Sequence, residues 1–198
     1  MPEFTAITPT ALADLIAARA ADLPGHAVVA IDGADAADPV PLARAVAERL
    51  RTGGRPAAVV SLHDYVRPAS LRLEYDPTDE FTYRTAWFDY AALRREVLVA
   101  LREQDRWLPA LWDERADRSA RARHRGAAPD TVLLVAGPML LGRDLDFDLT
   151  VALRMSEGAL RRRTPPADQF TVAAVLAHQA DPDILVAWDH PDRPAVRA

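Results

Sequence analysis

Apolar residues along this chain fall into short continuous runs, separated by stretches in which they recur every three or four positions. The runs are His26-Ala27-Val28-Val29-Ala30-Ile31, Pro56 to Leu62, Thr131 to Ala136, Leu149 to Leu153 and Ile184 to Trp188. Short runs of this kind, rich in Val, Ile and Leu, read as strands buried on both faces. Between them the period is helical. A first helix, capped by Thr8 or Thr10, runs to about Asp22 with Leu12, Leu15, Ile16 and Ala20 on one face. A second opens at Pro41, carries Leu42, Val46 and Leu50, and stops at Gly53-Gly54. Asp89 can cap a third from Tyr90 to about Gln104, Ser156 a short fourth, and a fifth covers roughly Asp168 to Gln179. Five strands alternating with helices predict an α/β three-layer sandwich, a five-stranded parallel sheet with helices on both faces.

Two stretches lack a clear period. Residues 63–88 read as a long substrate-side loop. Residues 104–128 read as a hairpin-like insertion over the cleft, two short strands around a polar turn at Asp113 to Asp117, although a helix also fits. No internal repeat is visible, and 198 residues suit one domain over the whole of 1–198.

Composition narrows the function classes. All 24 basic residues are arginine, and the net charge is −5, so no broad basic footprint for nucleic acid is expected. Cysteine is absent, which removes disulfides, thiolate metal sites and a cysteine nucleophile. Met1 to Thr10 shows no signal-peptide pattern and no apolar run is long enough for a membrane span, so a cytoplasmic protein without a membrane partner is expected. The five histidines are scattered without metal-ligand spacing, so no metal site is expected.

Ligands of open parallel sheets gather beyond the carboxyl ends of the strands, which points to the turn after Ile31. A phosphate-binding loop reads G-x-x-x-x-G-K-[ST]: backbone N–H groups cradle phosphates, lysine neutralises them and the hydroxyl holds Mg²⁺. Here the stretch is Gly33-Ala34-Asp35-Ala36-Ala37-Asp38-Pro39-Val40. Asp38 brings a charge and a Cβ where the second glycine belongs, Pro39 replaces the lysine and removes an N–H, and Val40 has no hydroxyl.

The surroundings nevertheless carry a resemblance. Ile31-Asp32-Gly33-Ala34-Asp35, Ser61-Leu62-His63-Asp64-Tyr65-Val66-Arg67-Pro68, Phe88-Asp89-Tyr90-Ala91-Ala92-Leu93-Arg94-Arg95 and Val132-Leu133-Leu134-Val135-Ala136-Gly137 follow one another in order. In order and spacing they resemble the uridine kinase-like branch of the P-loop kinases, from about Val28 to the C-terminus. That resemblance implies transfer of a nucleotide γ-phosphate to a nucleoside or similar alcohol with Mg²⁺, an acidic base after the second strand, and a ribose-holding acid at Asp89. The departures fall on the chemistry, since His63 stands at the base position beside Asp64, and Ala136 replaces an acid that organises the metal.

The expected function is a pseudokinase with a degenerate phosphate loop, needing no cofactor, that keeps a substrate-side pocket for a nucleoside or other small molecule. An active phosphotransferase using ATP and Mg²⁺ is the alternative, and an interaction module with a protein partner or a second copy of itself is a further one. Candidate site residues are His63 as a general base with Asp64 beside it, or His63 as a surface histidine, and Asp89 as ribose ligand or helix cap. Tyr65, Arg67, Arg84 and Trp112 are candidate substrate contacts, with Arg72 a further candidate for an anionic ligand. Arg161, Arg162 and Arg163 stand where such kinases carry a phosphate-clamping lid, and form the only obvious cation supply for the loop.

Overall fold

The computed structural model describes residues 4–74, 76–178 and 180–197. The strands of the main sheet are β1 (Thr5–Ala6), β2 (Ala27–Gly33), β3 (Ala57–Ser61), β8 (Val132–Gly137), β9 (Leu149–Arg154), β10 (Ile184–Ala187) and β11 (Ala195–Arg197); β4 (Arg106–Trp107), β5 (Trp112–Asp113), β6 (Arg118–Ser119) and β7 (Arg125–Gly126) lie between β3 and β8 in the chain. Among the described residues the sheet order is β1-β11-β10-β9-β2-β8-β3. The five expected strands form its parallel part, with β2 central between β8 and β9. Two short strands, β11 and β1, extend one edge antiparallel.

Every residue of β2 is buried. Alternation of its side chains supplies both faces of the sheet. Val29 and Ile31 join the helix α1 (Pro9–Ala21) residues Leu12 and Ile16, and the helix α2 (Pro39–Thr52) residues Val46 and Leu50. Val28 faces the opposite cluster with Tyr65, Phe88, Leu93 and Val97. Thr8 caps α1 by accepting from Ala11 N–H at 3.1 Å.

The helix after the phosphate loop begins two residues earlier than expected, at Pro39, which places Pro41 at its third position. The stretch 63–88 is not an open loop. It holds a 3₁₀ turn at Leu62–Tyr65, helix α3 (Ala69–Arg72) and helix α4 (Glu80–Ala86), the last capped by Asp79 on Thr82 N–H at 2.6 Å. The third long helix is continuous but uneven: α5 (Tyr90–Leu93), a π-helical turn at Arg94–Val99, and α6 (Ala100–Gln104). Between 104 and 128 the strand reading holds over the helical one, with β5 and β6 forming a hairpin and β4 pairing β7 at its base. Helix α7 (Glu157–Arg163) is capped by Ser156, and α8 (Thr171–Ala177) is shorter than expected; Gln179 lies outside the described residues, as do Met1 to Glu3. No helix among the described residues is long and apolar enough to cross a membrane.

Candidate functional site

At the carboxyl end of β2, Gly33 packs so closely on β9 that a Cβ would lie 3.0 Å from Leu153 Cβ. The chain then folds into a 3₁₀ turn at Asp35–Ala37. Ala37 N–H donates to Ala34 O at 2.8 Å and Asp38 N–H to Asp35 O at 3.0 Å, so both amides are used inside the turn. Asp38 takes the left-handed conformation, φ 52° and ψ 55°, one that asparagine and aspartate tolerate better than other non-glycine residues. The start of α2 then lacks N–H groups at both Pro39 and Pro41.

A cleft of about 310 Å³ opens over this turn. Its walls carry three carboxylates, Asp35, Asp38 and Asp168, against one guanidinium, Arg163. Arg163 is the member of the arginine cluster that reaches the loop: its Nη2 donates to Asp38 Oδ2 at 3.2 Å, and its buried Nη1 has no hydrogen-bond partner. Arg161 is paired within its own helix with Glu157 at 2.8 Å, and Arg162 is exposed. ATP with Mg²⁺ does not fit this lining. Two of the turn's amides are used internally, two helix N–H groups are missing, and the walls carry more carboxylates than guanidiniums. Among the described residues no group of three or more His, Asp or Glu converges to hold a metal ion.

His63 sits beside the turn, and its role as a general base fails on geometry. Nε2 lies 2.9 Å from Asp35 Oδ1 and Nδ1 lies 2.8 Å from Glu114 Oε2. Two carboxylates need two N–H donors, which only the imidazolium supplies. Burial alone would lower its pKa, but the hydrogen bonds to Asp35 and Glu114, with their charges, outweigh that and raise it to about 10. At neutral pH His63 is therefore a fixed cation joining the loop to the β5–β6 hairpin, and it holds no free lone pair for a proton. Asp64 makes no hydrogen bond to it, and burial pushes the Asp64 carboxyl up.

Glu114 is the hub that the sequence did not reveal. Its second oxygen accepts from Trp87 Nε1 and from Arg72 Nη1, each at 3.2 Å. Burial works against the charge, yet His63 and Arg72 hold the Glu114 carboxyl below its ordinary range. Arg72 is only 5 % exposed. It stacks over Trp87 at 5.0 Å and donates to Arg67 O at 2.6 Å, so it is committed inside the protein and not offered to a ligand.

The remaining substrate candidates separate. Tyr65 is fully buried with its hydroxyl on Leu108 O at 2.6 Å, which removes it as a substrate contact. Trp112 turns its Nε1 onto Asp117 of its own hairpin at 3.0 Å. The Arg84 guanidinium lies 5.9 Å from the Phe81 ring. Asp89 caps α5 with one oxygen, accepting from Ala92 N–H at 2.9 Å, which leaves its other oxygen for a second role.

Neither a known family model nor a curated protein matches the sequence. Solved structures do. A protein described as a possible uridine kinase, from Bacillus stearothermophilus, aligns over 84 % of this chain and 91 % of its own with a TM-score of 0.67 at 17 % identity. The fold is that of the P-loop, uridine kinase-like kinases. A protein assigned as a fructose transport system kinase, from Silicibacter sp. TM1040, aligns over 90 % of this chain and 98 % of its own, with a TM-score of 0.63 at 22 % identity. The uridine kinase-like fold thus spans nearly all of the chain, and the altered loop and the His63 bridge are set into it.

Proposed function

We propose that this chain is a pseudokinase: a uridine kinase-like protein that does not transfer phosphate from ATP in the usual way. The observation that carries the reading is the start of α2, where Pro39 and Pro41 delete amide donors and Asp38 adds negative charge. Phosphoryl transfer rests almost wholly on positioning and charge neutralisation. Each lost electrostatic stabiliser costs roughly 10²–10³-fold in rate. A substrate-side pocket for a nucleoside or similar molecule stays within the reading through Arg67 and the free oxygen of Asp89, while His63, Tyr65 and Arg72 no longer support it.

A weak residual phosphotransferase is the second reading. Arg163 favours it, because it places a cation beside the position of the missing lysine. Thermal-shift titration with ATP, ATP–Mg²⁺, GTP and a nucleoside panel, followed by a transfer assay, separates the two. A ligand at 100 times its Kd adds about 2.7 kcal/mol, a midpoint rise of roughly 5–10 °C at this size. The expected result is no rise with ATP–Mg²⁺. A rise with ATP–Mg²⁺ and turnover of a nucleoside would overturn the pseudokinase reading in favour of the second.

A further inference from the structure

A second cavity, of about 420 Å³, lies away from the phosphate-loop turn, between the α5 helix and the segment that follows β8. The helix contributes Tyr90, Ala91, Arg94, Arg95 and Val99. Tyr90 and Arg94, Ala91 and Arg95, and Arg95 and Val99 are i, i+4 pairs that share one helix face, and a π-helical turn spans Arg94–Val99. The opposite wall brings Arg143, Asp144 and Leu145.

Arg143 sets the chemistry. Its guanidinium is fixed by Nε on Met139 O at 3.3 Å and by Nη2 on Arg84 O at 2.8 Å, and it lies 4.9 Å from the centre of the Tyr90 ring. The Tyr90 hydroxyl donates to Met139 O at 3.0 Å, so the ring beneath is held as well. Among the described residues no carboxylate pairs with Arg143. A half-buried cation held only by carbonyls and a ring is poised for an anion, and its ordering is complete before binding. Arg94 and Arg95 stand at the rim, Arg94 paired with exposed Asp144 at 3.6 Å and Arg95 with half-buried Glu96 at 2.8 Å. Tyr90, Ala91, Val99 and Leu145 make the rest of the lining apolar or aromatic.

We propose that this cavity binds a small oxyanion, a carboxylate or a phosphate monoester, carried on a flat apolar body. The anion meets Arg143 with Arg94 and Arg95, and the apolar body lies along Val99 and Leu145. The site does not rest on the reading of the phosphate-loop cleft.

The test is an NMR titration of the intact protein with phenyl phosphate, benzoate and inorganic phosphate. Saturable shifts are expected for phenyl phosphate or benzoate, and whichever binds tighter identifies the anion. Inorganic phosphate should bind about tenfold more weakly than phenyl phosphate, because it buries no ring. Ala91→Trp, at an exposed position, should fill the mouth and abolish binding. Arg94→Gln with Arg95→Gln should weaken it about tenfold. Melting curves of both variants establish that they fold. Failure of both aromatic probes to saturate, equal affinity for phenyl phosphate and inorganic phosphate, or unchanged affinity in folded Ala91→Trp would each overturn the proposal.

Discussion

The phosphate-loop cleft and the α5 cavity are of similar size, about 310 and 420 Å³, and mirror one another in charge. The first sets three carboxylates against Arg163, and the second sets three guanidiniums against Asp144. On the proposed reading, the cleft keeps its volume while its charge opposes a nucleotide. The cleft has not collapsed. Two of its amides are bonded within the turn and its carboxylates outnumber its guanidinium, and near a protein surface each unit charge at contact distance changes an anion's energy by about 4 kcal/mol. The α5 cavity has the opposite balance in a place where the fold's phosphate loop has no part.

The largest way to unbalance the pair is Glu114→Gln. It leaves the His63 imidazolium with one carboxylate and the buried Arg72 facing a neutral amide. Removing one partner of a fully buried pair costs about 3–5 kcal/mol; with Glu114 32 % exposed at its side chain, about 2–3 kcal/mol is expected here. That corresponds to a midpoint lowered by roughly 5–10 °C, read by thermal melting. The phenyl phosphate response of the α5 cavity should not change. A midpoint within a degree of the unsubstituted protein would mean that the bridge does not hold the hairpin to the loop.

Next in size is the pH dependence of the same bridge. The folded pKa of His63, about 10, lies above its ordinary 6.5. Its contribution to stability is therefore complete below pH 6.5 and is lost as pH rises through 10. Glu114 is shifted the other way, so its contribution is present above its ordinary 4.5 and is lost as pH falls below that range. The bridge is strongest between the two. Because the His63 side chain is 35 % exposed, solvent screening reduces the alkaline loss to about 1–2 kcal/mol. Denaturant midpoints from pH 6 to pH 10 should fall accordingly, and His63→Gln should flatten the slope. An equal slope in His63→Gln would assign the dependence to other groups.

These groups also mark where the sequence could be read and where it could not. Strand β8 was legible because Val132 to Ala136 is buried on both faces, and continuous burial leaves a continuous apolar run. Strands β1 and β11 were not, being two and three residues long in segments without apolar periodicity. Helix α4 was missed because only a few of its residues face the core, so it offers no period to count. Asp38, Pro39 and Val40 each depart from the phosphate-loop pattern in the sequence itself. The second proline escaped, because Pro41 reads as a helix start and only the structure puts that start at Pro39. Glu114 could not be found at all. It meets His63 across 51 positions of chain, and in the sequence it is one more charge in a polar turn. Arg143 meets the Arg84 carbonyl across 59 positions and is hidden in the same way.

The smallest effect, and the one aimed most directly at the cleft, is expected from Arg163→Gln. The side chain is 25 % exposed and its partner Asp38 is 66 % exposed, so the pair is worth no more than about 1 kcal/mol to the fold. Its removal takes the guanidinium from the cleft walls, where Asp35 keeps its bond to His63 while Asp38 loses its cation. If charge reversal and the amides missing at Pro39 and Pro41 already exclude ATP–Mg²⁺, the variant should respond to the nucleotide no differently from the unsubstituted protein, with a flat thermal shift in both. If Arg163 instead stands in for the missing lysine, the unsubstituted protein shows a shift that Arg163→Gln abolishes. The comparison between the two cavities would then fail on the cleft side alone, because a cleft that binds a triphosphate through one arginine is not electrostatically closed. The α5 cavity keeps its own arginines under either outcome, so its phenyl phosphate affinity in Arg163→Gln should stay within about twofold of the unsubstituted protein, as expected for distant, independent sites.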